Sequence, residues 1–350
     1  MRQNLRRGLT IVTLRGIPML VAALMLAGCD RQASSNAVSD AAGTSNSVVG
    51  GVTTESKATD RTGRIVIDPQ FDEAGPFSEG LAAVRIGGKY GYIDQQGKSV
   101  IDPQFDFAGS FSDGLAAVGV GSKVGYIDKQ GEFAVIPQGD VADLFAFSEG
   151  LAAVRIGEFL AGKWGYIDKQ GKSVIDPRFD SAGSFSDGLA VVGIGGKWGY
   201  IDKQGKFVIA PQFASAGSFS DGLAAVRIGD FFTGKDGYVD KQGKLVIAPQ
   251  FDAAFPFRDG LADVRIGVEY GFIDKQGKIA IDPQFSFADT FSDGLAAVVG
   301  DAATGKYGYI DKEGKIVIEP KFDFADKFSD GLAAVRIGDD TTGKYGYIGR

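Results

Sequence analysis

The sequence predicts an all-β fold in which eight repeated three-stranded antiparallel meanders form a propeller-like closed ring. A motif of the form F-S-D/E-G-L-A recurs eight times, with its glycines 34 to 38 residues apart, and such a period is typical of repeat architectures. A short run of alternating residues follows each motif, as strands require. Glycine makes up 52 of the 350 residues, which suits many tight turns between short strands.

Three strands are predicted in each unit. The first is LAAVRI, Leu81 to Ile86, whose side chains alternate between two faces. A Gly-Gly turn leads to the second strand, KYGYID, and a polar loop ending in glycine leads to the third, KSVIDP, which includes Pro103. Because proline cannot donate a hydrogen bond to a neighbouring strand, we expect the third strand to end near it. Phe105 and Phe111, in the connection to the next unit, are expected to fill the space between units.

The two ends of the repeat region favour a closed ring. The region opens on a third-strand sequence, Arg64 to Pro69, and closes on a second-strand sequence, Lys344 to Gly349. In a ring the first segment would complete the last sheet and remove its exposed edge. The alternative is an open, curled β-repeat array or superhelix, which would leave Ile65 and Ile67 at an unpaired edge.

Residues 1–28 are predicted to be a lipoprotein signal peptide. Four arginines precede an apolar run that is too short to cross a bilayer, which takes about 20 apolar residues. The run ends in LAGC, which resembles the bacterial lipoprotein signal box, and the resemblance implies that Cys29 is lipidated and becomes the mature N-terminus. Cys29 is the only cysteine of the chain. The alternative is an unmodified cysteine at the end of an ordinary secretory signal.

Residues 29–60 are predicted to be the lipid anchor and a flexible linker rich in Ser, Ala and Thr, with the repeat domain occupying residues 61–350. We therefore expect a lipid-anchored membrane lipoprotein of the bacterial cell envelope, on the periplasmic face or the cell surface. The formal net charge of −7 repels phosphates, so we expect no nucleic-acid partner.

The repeat units resemble bacterial WG repeats, which are named for the core K-W-G-Y-I-D found here at Lys163 to Asp168 and Lys197 to Asp202. The resemblance covers residues 61–350. Only Trp164 and Trp198 keep the tryptophan, and the remaining units have other residues in its place: Tyr90, Val124, Asp236, Tyr270, Tyr307 and Tyr345. The resemblance implies a β-rich, exported repeat protein and implies no particular biochemical activity.

The composition argues against an enzyme. The chain has no histidine, so it lacks the most common general base and metal ligand, and its one cysteine lies in the predicted anchor. An aspartate recurs three residues before a loop glycine in seven units: Asp94, Asp128, Asp168, Asp202, Asp240, Asp274 and Asp311. Each turn offers one carboxylate, whereas calcium needs six to eight oxygen ligands. We therefore expect these aspartates to accept turn N–H groups, and we predict no metal and no cofactor.

The second aromatic of the K-W-G-Y-I-D core is predicted to be a core residue. It recurs at equivalent positions: Tyr92, Tyr126, Tyr166, Tyr200, Tyr238, Phe272, Tyr309 and Tyr347. Such regular repetition is typical of a layer between units, with hydroxyl groups available to buried backbone. The alternative is that these rings and the tryptophans stack on sugars.

Unequal loop lengths predict the binding face. The hairpin between the first two strands is longer in four units, and two of these extensions carry Phe159, Leu160, Phe231 and Phe232. Insertions on one face of a repeat array often mark its binding face, and exposed apolar tips favour a protein contact. Alternatively, these hairpins fold back as covers over neighbouring units.

The predicted function is an envelope-anchored, non-enzymatic protein-interaction or scaffold module, and the alternative is a cell-wall or polysaccharide-binding lipoprotein.

Overall fold

The computed structural model describes residues 62–158 and 161–350 as eight four-stranded antiparallel sheets that form an eight-bladed β-propeller. This confirms the predicted all-β closed ring. The predicted signal peptide, Cys29, the linker, Phe159 and Leu160 lie outside the described residues. No helix within the described ranges has the length and apolar composition needed to cross a bilayer.

The chain contributes thirty-two strands to the eight blades. The eighth blade includes the first strand of the chain, β1 (Ile65–Phe71). Blade 1 contains β2 (Glu73–Ala74), β3 (Ala82–Ile86), β4 (Lys89–Ile93) and β5 (Ser99–Phe105). Blade 2 contains β6 (Phe107–Ala108), β7 (Ala116–Val120), β8 (Lys123–Ile127) and β9 (Phe133–Val135). Blade 3 contains β10 (Val141–Leu144), β11 (Leu151–Ile156), β12 (Lys163–Asp168) and β13 (Ser173–Phe179). Blades 4 and 5 contain β14 (Ser181–Ser186), β15 (Leu189–Ile194), β16 (Lys197–Ile201), β17 (Phe207–Phe213); β18 (Ser215–Ala216), β19 (Leu223–Ile228), β20 (Lys235–Asp240), β21 (Leu245–Phe251). Blade 6 contains β22 (Ala253–Ala254), β23 (Leu261–Ile266), β24 (Glu269–Asp274) and β25 (Ile279–Phe285). Blade 7 contains β26 (Phe287–Ala288), β27 (Ala296–Val299), β28 (Tyr307–Ile310) and β29 (Ile316–Phe322). Blade 8 contains β30 (Phe324–Ala325), β31 (Leu332–Ile337), β32 (Lys344–Gly349) and, as its fourth strand, β1.

Each blade has four strands, so the prediction of three-stranded units was wrong. The additional strand lies in the connection between units, where β2 pairs with β3 through Glu73↔Arg85 and Ala74↔Val84. This first strand of the blade has only two residues in six of the eight blades. Two residues are too few to show an alternating pattern, which is the sequence signal for a strand.

The last strand of a blade also differs from its prediction, because it continues through the proline. In blade 1 the register changes from Tyr92↔Ile101 to Tyr90↔Phe105, so extra residues around Pro103 form a bulge. The backbone of the bulge passes close to Gly91, which lies between the two tyrosines. A Cβ atom on Gly91 would lie 2.4 Å from the Ile101 carbonyl oxygen. A glycine is therefore required at this point of the repeat.

Both ends of the repeat region lie in one sheet, as predicted. Strand β1 pairs with β32 through Ile65↔Ile348 and Ile67↔Tyr347, and Ile67 is buried. The Lys344 Nζ atom lies 2.5 Å from a carboxylate oxygen of Asp72 in blade 1. Blades 8 and 1 are thus joined by both backbone and side-chain bonds, and the ring is closed.

The core lies between neighbouring blades. In one such layer Tyr92 of blade 1 packs against Phe111 of blade 2, with ring centroids 4.9 Å apart, and its hydroxyl donates to the Gly109 carbonyl at 2.8 Å. Phe105 and Phe111 are buried in the same layer, as expected. All eight aromatic residues predicted as core are at most 1% exposed, so sugar stacking is ruled out for them.

Candidate functional site

The blades present two different faces. Because the strands are antiparallel, the loops between the first and second strands and between the third and fourth strands share one face, which we call the turn face. The hairpins between the second and third strands lie at the opposite ends of the strands, on what we call the hairpin face. The hairpin face comprises residues 87–88, 121–122, 157–162, 195–196, 229–234, 267–268, 300–306 and 338–343, of which Phe159 and Leu160 are outside the described ranges.

The turn face carries a closed ring of hydrogen bonds. In blade 1, the Glu79 carboxylate accepts the Gly114 N–H of blade 2 at 3.1 Å, and the Gly80 N–H donates to Asp330 of blade 8 at 2.9 Å. The acceptors of the eight equivalent bonds, 2.6–3.2 Å long, are Glu79, Asp113, Glu149, Asp187, Asp221, Asp259, Asp293 and Asp330. All eight have φ between 52° and 55°, a conformation that aspartate tolerates better than most residues.

Lysines complete the polar contacts of this face. Lys129 of blade 2 donates to the Glu79 carbonyl at 2.9 Å and lies 3.2 Å from its carboxylate. Five more turn lysines lie within 4.0 Å of an equivalent acid in the preceding blade. Among the described residues, none of the exposed large apolar side chains belongs to a turn of this face. The acids and lysines of the turn face therefore bind one another.

The hairpin face differs from the turns of the turn face in exposing large apolar side chains. The second strand of most blades ends here on an exposed isoleucine or valine: Ile86, Val120, Ile194, Ile228, Ile266 and Ile337. The hairpin tips add Val268, which is 82% exposed, and Phe232, which is 77% exposed. Large exposed apolar patches on a soluble protein mark interaction sites.

The two predicted site residues that the structure describes, Phe231 and Phe232, lie together at the tip of the blade 5 hairpin. Their ring centroids are 5.4 Å apart at 87°, and they are 44% and 77% exposed. A side chain as exposed as Phe232 does not cover a neighbouring blade. The structure thus places this pair on the open surface, and a binding role for it remains a prediction.

Local polar contacts hold this hairpin in shape. The Asp230 carboxylate accepts the N–H groups of Phe232 and Thr233 at 3.0 and 2.9 Å. Together with the Thr233 hydroxyl, which contributes most, these bonds lower the pKa of Asp230. Arg227 donates to the Phe231 carbonyl at 2.9 Å and to Asp236 at 2.7 Å. Asp236 stands where six of the other units have an aromatic residue and one has Val124, and its carboxylate binds this arginine.

Lysine–aspartate pairs join neighbouring blades at the same face. Lys89 of blade 1 bonds Asp106 of blade 2, and the other Asp106 oxygen accepts the Gly121 N–H at 2.7 Å. The lysine, as the larger cause, and this N–H hold the pKa of Asp106 below its usual value. Equivalent aspartates with lowered pKa values are Asp72, Asp180, Asp252 and Asp323. The base of the hairpin face is therefore fixed in place while its tips are exposed.

A family model described as WG containing repeat matches the chain eight times, at residues 60–90, 90–123, 125–158, 164–198, 198–230, 237–267, 270–299 and 307–348. The chain belongs to the WG containing repeat family. No curated protein matches this WG-repeat chain.

Solved structures with a similar arrangement are distant in sequence. PorZ, a surface component of the type-IX secretion system of Porphyromonas gingivalis, is 10% identical with a TM-score of 0.40, and the match covers 81% of this chain and 44% of PorZ. Hsv2 of Kluyvelomyces marxianus is 12% identical with a TM-score of 0.44, covering 80% and 97% of the two chains. The extracellular domain of BT4673 from B. thetaiotaomicron is 10% identical with a TM-score of 0.44, covering 73% and 41%. The WG-repeat chain thus spans less than half of PorZ and of the BT4673 domain, and similarities this weak carry no argument about function.

The repeated loop aspartates of the WG units serve their own turns. Asp94 accepts the N–H groups of Gln96 and Lys98 at 3.0 and 2.9 Å, and the six equivalent aspartates make the same pair of bonds. Within residues 62–158 and 161–350, no three His, Cys, Asp or Glu side chains form a group that would hold a metal ion.

The two name-giving tryptophans of the WG repeat differ in burial: Trp164 is buried and Trp198 is partly buried. Trp164 is 6% exposed and stacks on Phe145, with centroids 5.0 Å apart and planes 20° apart. Trp198 packs against the core between blades 4 and 5. Trp164 is therefore not a candidate ligand-binding residue.

Sequence reasoning missed one unusual carboxylate, Asp263 in β23. It is buried, and the Thr290 hydroxyl of blade 7 donates to it at 3.2 Å. Burial, followed by the nearby charge of Asp289, raises its pKa well above the usual value. The signal was present in the repeat alignment, because the equivalent residue is alanine in six other units and Val191 in one.

Proposed function

We propose that this WG-repeat protein is a non-enzymatic protein-interaction module of the bacterial cell envelope, attached to a membrane by a lipid on Cys29. It binds a protein partner through the hairpin face. The observation that carries the proposal is the contrast between the two faces: the acids and lysines of the turn face are bonded to each other, whereas the hairpin face exposes apolar side chains.

The absence of histidine and the position of the single cysteine support a binding role. The chain contains no histidine, and its single cysteine is Cys29. The repeated aspartates are used in turns and between blades. A binding module needs none of these groups for chemistry, while an aromatic pair such as Phe231 and Phe232 is the kind of residue that dominates protein interfaces.

The test uses two double variants of the full chain with matched chemistry. Phe231→Ser/Phe232→Ser removes the exposed hairpin pair, and Leu245→Ser/Val246→Ser removes two side chains of 43% and 47% exposure on the outer strand of the same blade. Both should keep the free energy of unfolding within about 0.5 kcal/mol of wild type. The wild-type chain is expected to capture a partner protein from envelope extract. Only the hairpin variant should fail to capture it. Equal capture by both variants, or a large loss of stability in the hairpin variant, would contradict the proposal.

The anchor is tested separately. Cys29→Ser should leave the protein unprocessed or release it from the membrane fraction, because the proposed lipid is attached to this sulfur. Labelling with a radioactive fatty acid reports the lipid directly. A Cys29→Ser protein that is still processed and labelled would refute the anchor without affecting the binding face.

A further inference from the structure

Six aromatic rings follow one another across blades 6, 7 and 8, and we call them the aromatic arc: Phe255, Tyr270, Phe287, Tyr307, Phe324 and Tyr345. Neighbouring ring centroids are 5.6–6.2 Å apart. From Tyr270 onward, the rings come alternately from the third strand of one blade and the first strand of the next.

The aromatic arc belongs to the hairpin face. Phe287, Tyr307 and Phe324 are the first residues of β26, β28 and β30, and each of these strands begins at its hairpin-face end. Phe287 is 37% exposed, and the other five rings are partly buried. The arc therefore presents a row of partly exposed aromatic rings to solvent.

The fold does not require these rings. Phe287 and Phe324 occupy the first-strand position that pairs with the end of the second strand. The other blades have Glu73, Phe107, Asp143, Ser181, Ser215 or Ala253 there. Serine or alanine thus suffices for a blade to form. Partly exposed phenylalanines at two successive positions therefore indicate a selected surface rather than a packing need.

Polar groups accompany the rings, and the tyrosine hydroxyls among them have no hydrogen-bond partner in the described part of the chain. The hydroxyls of Tyr270, Tyr307 and Tyr345 make no hydrogen bond to any described residue, whereas each buried tyrosine of the inter-blade core donates to a backbone carbonyl, as Tyr92 does. The Arg336 guanidinium lies 5.9 Å from the Tyr345 ring centroid, and its buried Nε has no acceptor in the described part of the chain. A ligand here would meet apolar ring surfaces together with the tyrosine hydroxyls.

We propose that the aromatic arc binds a carbohydrate chain. A sugar ring combines an apolar C–H face, which stacks on an aromatic ring, with hydroxyl groups that bond to tyrosine hydroxyls, to Arg336 and to the exposed Asp340 carboxylate beside it. Nucleobases also stack on aromatic rings, but a net charge of −7 opposes their phosphates. The site is independent of the proposed protein partner, because it uses different residues of the same face.

A proline-rich peptide fits this surface less well. Such peptides dock in grooves lined by aromatic rings. In the aromatic arc, adjacent rings contact each other at tilts of 36° to 64°, which leaves no slot for a prolyl ring between them. A sugar ring needs no such slot, because it stacks on the face of a single aromatic ring.

The test is calorimetric titration of the full chain with soluble oligosaccharides of β-1,4-linked glucose, β-1,4-linked N-acetylglucosamine and α-1,4-linked glucose, and with a polyproline peptide. We expect at least one saccharide to bind, and Phe287→Ser/Phe324→Ser to raise its Kd about tenfold or more. The matched control is Phe107→Ser, which changes the same strand position in blade 2 at 40% exposure, away from the arc. Thermal unfolding verifies that each variant is folded.

A second variant, Tyr307→Phe, keeps the ring and removes one free hydroxyl, so we expect a smaller rise, about threefold. It also keeps the site testable if the double variant does not fold. The proposal is overturned if no saccharide binds at millimolar concentration, or if Phe107→Ser weakens binding as much as the arc variant. Binding of the polyproline peptide instead, dependent on Phe287, would overturn it as well. None of these outcomes depends on capture of a protein through Phe231 and Phe232.

Discussion

Asp263 shows how a single residue can depart from the repeat at a cost to stability. Its neighbours across the blade interface are Thr290, which donates to it, and Asp289, whose charge opposes its ionisation. Because burial disfavours the charged carboxylate, its pKa in the folded protein is far above the unfolded value of 3.8. Ionisation of Asp263 therefore favours the unfolded chain. Ionisation of a surface aspartate such as Asp106, whose pKa is lowered, favours the folded protein instead.

Replacing Asp263 with alanine, the residue of six other units, should stabilise the protein by about 1–3 kcal/mol at pH 7. A raised folded pKa destabilises the fold above the unfolded pKa, so the advantage of Asp263→Ala should grow as pH rises from about 4 and level off at the folded pKa. Urea unfolding of both proteins between pH 4 and pH 9 measures this difference. Asp263→Asn, which removes the charge and keeps the size, is the control. An advantage that does not change with pH would show that the carboxylate ionises freely in the folded protein.

At the scale of elements, the turns of the turn face act as the contacts between blades. Asp113 combines a φ of 55° with two inter-blade bonds: its carboxylate accepts the Gly150 N–H at 2.6 Å, and its carbonyl accepts from Lys169 at 2.6 Å. The left-handed conformation aims the carboxylate at the next blade. One acidic residue thus shapes its own turn and joins two blades.

Asp113→Ala should lower the free energy of unfolding by about 2 kcal/mol, since alanine loses the Gly150 bond and is strained at positive φ. Asp113→Asn should cost less than half as much, because asparagine tolerates this conformation and keeps an acceptor oxygen. Urea denaturation of the two variants beside wild type gives the comparison. Equal losses of unfolding free energy for alanine and asparagine would contradict this prediction. They would show that neither the acceptor oxygen nor the tolerance of positive φ stabilises the turn.

The elements also show which features a sequence reveals. The period, the loop aspartates such as Asp94 and the buried tyrosines such as Tyr92 were predicted correctly because they recur in nearly every unit. Strand β2 was missed since two residues carry no periodicity, and β5 was predicted too short because its bulge accommodates Pro103. The aromatic arc was missed because its rings come from different strands of different units and meet only when the blades pack.

At the scale of the whole molecule, stability depends on joining blade 8 to blade 1. Strand β1 completes blade 8, the Tyr347 hydroxyl donates to the Gly75 carbonyl at 2.8 Å, and Gly80 bonds Asp330 at 2.9 Å. Each blade packs its faces against its two neighbours, so an opened interface exposes the apolar faces of two sheets at once.

Deleting residues 60–69 should therefore destabilise the ring by about 3 kcal/mol or more, because it removes the buried Ile67 and unpairs β32. The truncated protein should also aggregate through its exposed edges. Thermal unfolding and size-exclusion chromatography report both effects. Val66→Ser, at a position of the same strand that is 37% exposed, should change stability by no more than about 0.5 kcal/mol. A truncated protein that remains monomeric with an unchanged Tm would contradict the role of β1 in closing the ring.

The central functional claim is that a protein partner binds the hairpin face. Hydrogen exchange of the full chain, alone and bound to the protein that it captures, tests this claim most directly, because it locates the contact without assuming which residues matter. We expect slowed amide exchange at 229–234 and at the neighbouring hairpin 267–268 on binding, with little change in the turns at Glu79, Asp113 and Glu149. Protection centred on those turns, with the hairpins unaffected, would contradict it.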